Sequence, residues 1–240
     1  MIEIGKVRAI YRYPVKSMRG ESLPQAELRW TGINGDRQYA FVRTANGSRF
    51  PWLTAREVPE LVLYRAQYAD PDDPRRSALT IITPDGNVHP VQAPELADRL
   101  SKAAGEEVRM IQIGRGVFDS MPVSVVSTAT RGQVEDRHGR PVDIRRFRPN
   151  IEIEPTDRQT ETSWLAGSLV FGSGPDPARL RINCPIERCA MIAVDPDTAS
   201  RDPTLVKTVV QNFGNEIGVY AAIEARGTIS VGDTVRLVRS

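Results

Sequence analysis

Glycine and proline interrupt this chain so often that long regular elements are ruled out: eighteen of each are spread through 240 residues. Glycine supplies positive φ and proline removes a backbone donor, so a chain cut this way folds from short strands joined by turns. Lys6–Tyr13 reads as a strand halted by Pro14, and Gln38–Arg43 as a second closed by Asn46-Gly47. Leu61–Ala66 and Leu79–Thr83 follow, the latter ending at Pro84-Asp85-Gly86. Val123–Val126, Ile151–Glu154, Ser168–Phe171 and Leu180–Ile182 are further strands. The tail from Gly218 to Val238 holds two or three more, around Arg226-Gly227 and Gly232-Asp233.

Helices are few. Over Pro94–Ala104 the residues Leu96, Leu100 and Ala103 share a face, with Gly105 as C-terminal cap. Ser127 is a good N-cap for a helix from Thr128 to about Asp136. Asp202-Pro203 opens a third, with Leu205, Val206, Val209, Val210 and Phe213 on one face and Gly214 at its end. The expected fold is β-dominated α+β and barrel-like, with a few short helices. The loop before Val123 divides the chain into residues 1–113 and 114–240.

Composition excludes several classes. A net charge of +2 gives no case for nucleic acid, and no apolar run approaches the ~20 residues that span a bilayer. The start, MIEIGKVRAIYRY, lacks a basic segment followed by an apolar one, so no signal peptide is expected. Two cysteines make no disulfide framework, and reduced thiols in a cytoplasmic protein are expected. There is no GxxxxGK[ST], no GxGxxG after a strand and no GxSxG, which argues against nucleotide loops and serine hydrolases.

Both cysteines lie in NCPIERCAMIAVDPDTASRDPT, at Cys184 and Cys189. A zinc site would need both of them together with His89 and His138, at spacings that do not suggest one. Burial as small apolar groups is one reading for both. For Cys189 the neighbouring Arg188 and turn-rich setting favour a thiolate, leaving its role open between packing and chemistry. The stretch RHGRPVDIRRFRPN carries Arg137, Arg140, Arg145, Arg146 and Arg148. It reads either as a solvated basic loop or, if extended, as a clamp in which Arg146, Arg148 and Asn150 share a face suited to an anion and a heterocycle. Lys16-Ser17 in YPVKSMRG is a weak phosphate-binding candidate, and GDR (35–37) and LTAR (53–56) are weaker still.

In order, YPVKS, GDRQYAFV, LTAREVPELV, MPVSVVST, RRFRPNIEIE, PIERCAMIAVDPDT and GTISVGDTVRLV resemble the MOSC proteins nearly end to end. Residues 1–113 resemble the N-terminal MOSC β-barrel domain, and 114–240 the MOSC domain, as paired in the mitochondrial amidoxime-reducing components and their bacterial relatives. The resemblance implies a molybdenum cofactor, molybdopterin without an added nucleotide, lying between the two units. It implies Cys189 as metal ligand, Lys16 and Ser17 on the pterin phosphate, and Arg37, Arg148 and Asn150 as further cofactor contacts. Ser127, Thr128 and Arg188 match less closely. Cys184 has no implied role, and its burial is expected.

The function so implied is reduction of N-hydroxylated or other N-oxygenated small molecules, with electrons from a separate reductase, ferredoxin or cytochrome-type protein. The alternative is a cofactor or sulfur carrier that uses a persulfide at Cys189. A fold that has lost its cofactor is a third reading, opposed by Cys189, Lys16, Arg148 and Asn150. Unlike many bacterial relatives, the chain shows no ferredoxin-like cysteines at its end and no membrane anchor before the barrel. The GSGPDPAR segment (172–179) looks longer than the family's usual turn.

Overall fold

A computed structural model describes residues 1–114, 116 and 120–239. The first strands are β1 (Ile2–Arg12), β2 (Glu21–Leu23), β3 (Gln25–Arg29), β4 (Gly32–Ile33) and β5 (Tyr39–Arg43). After them come β6 (Arg65–Tyr68), β7 (Leu79–Ile82), β8 (Val88–Pro90) and β9 (Val108–Gln112). The remainder are β10 (Val123–Ser127), β11 (Ile151–Pro155), β12 (Gly167–Phe171), β13 (Arg179–Glu187), β14 (Glu216–Ala225), β15 (Gly227–Ser230) and β16 (Thr234–Arg239). Three α-helices accompany them: α1 (Pro94–Ala104), α2 (Thr128–His138) and α3 (Pro203–Phe213).

Seven strands close into a barrel in the order β11-β10-β14-β13-β12-β16-β1, with β1 pairing back onto β11. Closure removes the exposed edges that so many short strands would otherwise leave. Alternate residues of these strands fill the interior, among them Val7, Ile10, Val125, Ile153, Leu169, Ile182, Val219 and Leu237. The α+β, β-dominated class is therefore observed. Strand β1 comes from the N-terminal end yet completes a barrel made otherwise of strands beyond residue 122. Residues 39–112 form two smaller sheets, β5–β9 and β6–β7–β8, which pack with α1 around Leu53, Leu61, Ile81, Leu96 and Leu100. A third cluster, with Val134, Phe147, Ile192, Leu205 and Val209, lies under α2 and α3. The loop read as dividing the chain contains residues 115 and 117–119, which lie outside the described residues.

The helices begin and end where their caps place them. Ser127 Oγ accepts from Thr130 N, Asp202 accepts from Thr204 N, and Gly105, Gly139 and Gly214 close the three helices in left-handed conformation. Two helix faces differ from the pattern: Ala103 is exposed while Ala104 packs on the core, and Val210 is half exposed. The strand expected over Leu61–Ala66 is a 3-10 turn at Pro59–Leu63 followed by β6, because Pro59 at its first turn favours helical φ. Strand β13 runs past Leu180–Ile182 to Glu187, with register shifts on either side of Cys184-Pro185 that accommodate the proline. No helix among the described residues is long and apolar enough to cross a membrane.

Candidate functional site

The site begins where β1 ends. Proline at 14 stops the strand, Val15 bridges Tyr39, and Lys16 N donates to Tyr39 O at 2.9 Å. Ser17 is then turned into the left-handed region at φ 65°. Lys16 is buried, with Nζ 5.4 Å from the Phe50 ring centre. Tyr13, 2% exposed, is a platform beneath two guanidinium groups, Arg148 at 4.2 Å and Arg37 at 4.9 Å from the ring centre. Gly20 leaves room for that ring: a Cβ there would stand 2.4 Å from Tyr13 Cε1. Burial holds the Tyr13 phenol well above its ordinary pKa against the pull of Arg148 and Arg37, so the platform is neutral.

Around this platform the cations are fixed by hydrogen bonds. Asp36 accepts from Tyr13 N at 2.7 Å and pairs with Arg37, which also reaches Asn150 Oδ1 (3.2 Å) and Arg148 O (3.3 Å). Arg148 Nη1 donates to Met18 O at 2.7 Å. Asn150 is almost wholly buried; its Oδ1 accepts from Ser124 N and Oγ, both at 3.1 Å, and its Nδ2 donates to Tyr11 O. This amide therefore stitches β1, β10 and β11 together as well as facing the cavity. Ser17, Arg37 and Arg148 are three of only six non-glycine residues with positive φ among the described residues. Each such conformation costs on the order of 1–2 kcal/mol, and their gathering here marks a place where side-chain aim outweighs backbone comfort.

The basic segment is not extended, as the shared-face reading required. Residues Ile144–Arg146 form a 3-10 turn and Arg148 is left-handed at φ 50°, so the backbone is not a strand, yet Arg146, Arg148 and Asn150 all reach one cavity. Arg146 reaches Ala193 O and Asp195 Oδ2, both at 2.8 Å. Asp195 Oδ1 in turn accepts from Asp197 N, Thr198 N and Thr198 Oγ1, each at 3.0 Å. Asp197 pairs with Arg19 and Arg145. The DPDT turn is thus a clamp that holds the segment after Cys189 against the arginine-rich turn.

Cys189 immediately precedes the short 3-10 turn Ala190–Ala193 and is exposed. Cys184 is half-buried, not fully buried as expected, and both thiols are free. Arg188 anchors this end of β13: Nε donates to Ile217 O (2.7 Å) and Nη1 to Phe147 O (2.8 Å). Burial lowers its pKa to about 10, which leaves it charged at neutral pH. Its Nη2 is buried and finds no hydrogen-bond partner among the described residues. Nearby, the buried carboxylate Glu161 accepts from Gly218 N (2.8 Å), Ser127 N (3.0 Å) and Thr130 Oγ1 (2.6 Å).

Lys16, Ser17, Arg37, Arg148, Asn150, Arg188 and Cys189, drawn from positions up to 173 residues apart, line one cavity of about 300 Å3. Ser127 and Thr128 do not line it: Ser127 is fully buried and its hydroxyl caps α2, of which Thr128 is the first residue. The cavity includes Arg146 of the clamp reading, and adds Phe50 and Tyr220, which the sequence reading passed over, with Thr54 and Arg56 from LTAR. LTAR already displayed Thr54 and Arg56, but nothing local distinguished them from surface. Among the described residues that line it, six are cationic and one, Glu187, is acidic, which suits an anion. No three His, Cys, Asp or Glu side chains gather as metal ligands among the described residues. A group bearing phosphate and a soft metal fits this donor set, in which cations face the cavity beside the exposed Cys189 thiol.

The MOSC N-terminal beta barrel domain model matches residues 4–113 and the MOSC domain model residues 111–236. The chain is 28% identical to mitochondrial amidoxime-reducing component 1 of Homo sapiens, over 98% of this chain and 84% of that one. It is 23% identical to mitochondrial amidoxime reducing component 2 of Bos taurus, over 97% and 83%. Among solved structures, the YUAD protein of Bacillus subtilis shares the fold at TM-score 0.52 and 13% identity, over 98% of this chain and 95% of that one.

Proposed function

The chain belongs to the MOSC family, and on that premise we propose that it is a molybdenum-cofactor enzyme reducing N-oxygenated small molecules. Electrons would come from a separate donor protein. The observation that carries this reading is the gathering of Lys16, Ser17, Arg37, Arg148 and Cys189 around one cavity. The relatives' names add the class of activity, amidoxime reduction. Residues 1–113 and 114–240 would be the two units that supply the site from either side.

In this reading Lys16, Ser17, Arg37 and Arg148 hold the terminal phosphate of a molybdopterin without added nucleotide, and Asn150 fixes the wall behind it. Cys189 supplies the one protein ligand to molybdenum and stays deprotonated while bound. When bound, the cofactor supplies two-electron oxygen-atom removal. The chain's own part is positional. Arg146 and Asp195 hold the strand-to-turn segment after Cys189, and Arg188 fixes the residue before it. Ser127 and Thr128 would serve the scaffold.

Exposure of Cys189 also suits a sulfur or cofactor carrier, since a persulfide must be reached by its acceptor. One experiment separates the two: purify the protein from a host that makes the cofactor, identify the released pterin, and assay benzamidoxime reduction with a chemical electron donor. Pterin released without an added nucleotide, together with turnover, supports the reductase. Bound cofactor without turnover moves the reading to the carrier, and a dinucleotide pterin contradicts the phosphate assignment.

A further inference from the structure

We propose that Arg56 and Phe50 form a substrate-selecting rim that favours planar N-oxygenated compounds carrying a carboxylate or similar anionic group. This rests on the reductase reading above and names the substrate class of the same cavity.

Arg56 and Phe50 line the cavity from an element distinct from the other cations. The Thr54 turn is rigid: Glu57 N and Val58 N donate to Thr54 O, and Glu57 Oε2 accepts from Thr54 N at 3.1 Å and from Thr54 Oγ1. Leu53 N bonds Phe41 O, and Arg201 Nη2 donates to Arg56 O at 2.6 Å, tying the turn to the DPDT side of the cavity. On this ledge the Arg56 guanidinium sits 5.2 Å from the Phe50 ring centre, and Lys16 Nζ lies 5.4 Å from the same ring.

The other cavity cations are committed. Arg146 pairs with Asp195, Arg188 donates to two carbonyls, Arg37 pairs with Asp36, and Arg148 stacks on Tyr13. Arg56 Nε donates to the neutral Thr54 hydroxyl at 3.3 Å, and its carboxylate neighbour Glu57 stands at 3.8 Å, too long for a hydrogen bond. Its side chain is 37% exposed, against 14% for Arg37. A cation so placed meets what enters the cavity, whereas the deeper set meets what is held there. The Phe50 ring beside it offers an apolar face to an aromatic body, and the planar guanidinium offers a fork to a carboxylate. Among the described lining residues the cations outnumber the acidic Glu187, which disfavours a cationic substrate.

The test uses the cofactor-loaded protein and three benzamidoximes: para-carboxylate, unsubstituted and para-trimethylammonium. Kd is measured by calorimetry without an electron donor, and kcat and KM with one. In wild type the carboxylate is expected to bind roughly tenfold more tightly than the cation, as for one charge-assisted contact at a wet rim. Arg56→Glu should invert that order, and Arg56→Gln should flatten it. Phe50→Ala should weaken all three by a common factor of about two to ten, the loss of one ring contact. Arg75→Glu, the same charge change at an exposed position outside the cavity, should leave the order intact. Equal Kd values in wild type, or an order that survives Arg56→Glu, overturn the proposal. Turnover without charge preference removes the rim and keeps the reductase. An order in Kd that inverts with Arg56→Glu but comes without turnover keeps the rim and removes the reductase.

Discussion

Gly218 lies on β14 close to the Arg188 guanidinium, and replacing it with alanine separates two physical costs. Its φ of +81° is left-handed, which costs a residue with a Cβ about 1–2 kcal/mol. The Cβ would also stand 2.8 Å from Val126 Cγ2, 2.9 Å from Arg188 Nη2 and 2.9 Å from Val125 O. Two of those three groups belong to a packed strand and cannot move cheaply, so overpacking adds roughly 1–3 kcal/mol. Gly218→Ala should therefore destabilise the fold by about 2–5 kcal/mol, or roughly 5–20 °C in Tm for a chain this long. Gly214, at φ +59°, has open space around its Cβ position, so Gly214→Ala isolates the backbone cost of about 1–2 kcal/mol. Gly132 lies within α2, where φ is ordinary and a Cβ meets nothing, and Gly132→Ala should stabilise by about 0.5–1 kcal/mol. Urea unfolding of the three variants reads the series directly. Equal costs for Gly218→Ala and Gly214→Ala would refute the packing argument, and a loss at Gly132→Ala would refute the backbone one.

Lys16→Ala and Arg148→Ala should each weaken cofactor retention by about 1.5–3 kcal/mol while the far-UV spectrum is unchanged, checked by molybdenum content after dialysis. Ser127→Ala should cost about 0.5–2 kcal/mol through the lost α2 cap and leave molybdenum content alone, so a metal-poor but stable variant would return Ser127 to the site. Glu152 is buried on β11 and its pKa is raised, first by desolvation, with Arg131 and Arg8 opposing. A raised carboxyl favours folding below its ordinary 4.5 and loses that contribution as pH rises, so Glu152→Gln should gain stability over wild type at neutral pH and not in acid. Melting curves across that range check the sign.

Much of this architecture was legible because it rests on local chemistry. Pro94 with Gly105, and Asp202-Pro203 with Gly214, bound α1 and α3, and Leu79–Ile82 alternates buried and half-buried residues ahead of its Pro84-Asp85-Gly86 turn. What escaped depended on distant partners. Barrel closure by β1 against β11 and β16 is a pairing across more than a hundred residues. In the candidate site, Lys16, Arg37, Arg148 and Cys189 carried visible motifs, but Tyr13 became a platform only when Arg37 and Arg148 arrived over its ring. Ser127 was misleading for a physical reason: a serine after a strand serves a helix cap as readily as a phosphate, and here Thr130 N takes its oxygen. Arg146, Arg148 and Asn150 do meet at one cavity, but through a 3-10 turn and a left-handed Arg148 rather than along an extended segment.

The central claim is that Cys189, not Cys184, supplies the sulfur by which the chain holds molybdenum. X-ray absorption at the molybdenum edge counts sulfur neighbours directly, in wild type, Cys184→Ser and Cys189→Ser prepared from a cofactor-competent host. Wild type and Cys184→Ser should show the same number, and Cys189→Ser one fewer. An unchanged sulfur count in Cys189→Ser, or its loss in Cys184→Ser, would contradict the assignment.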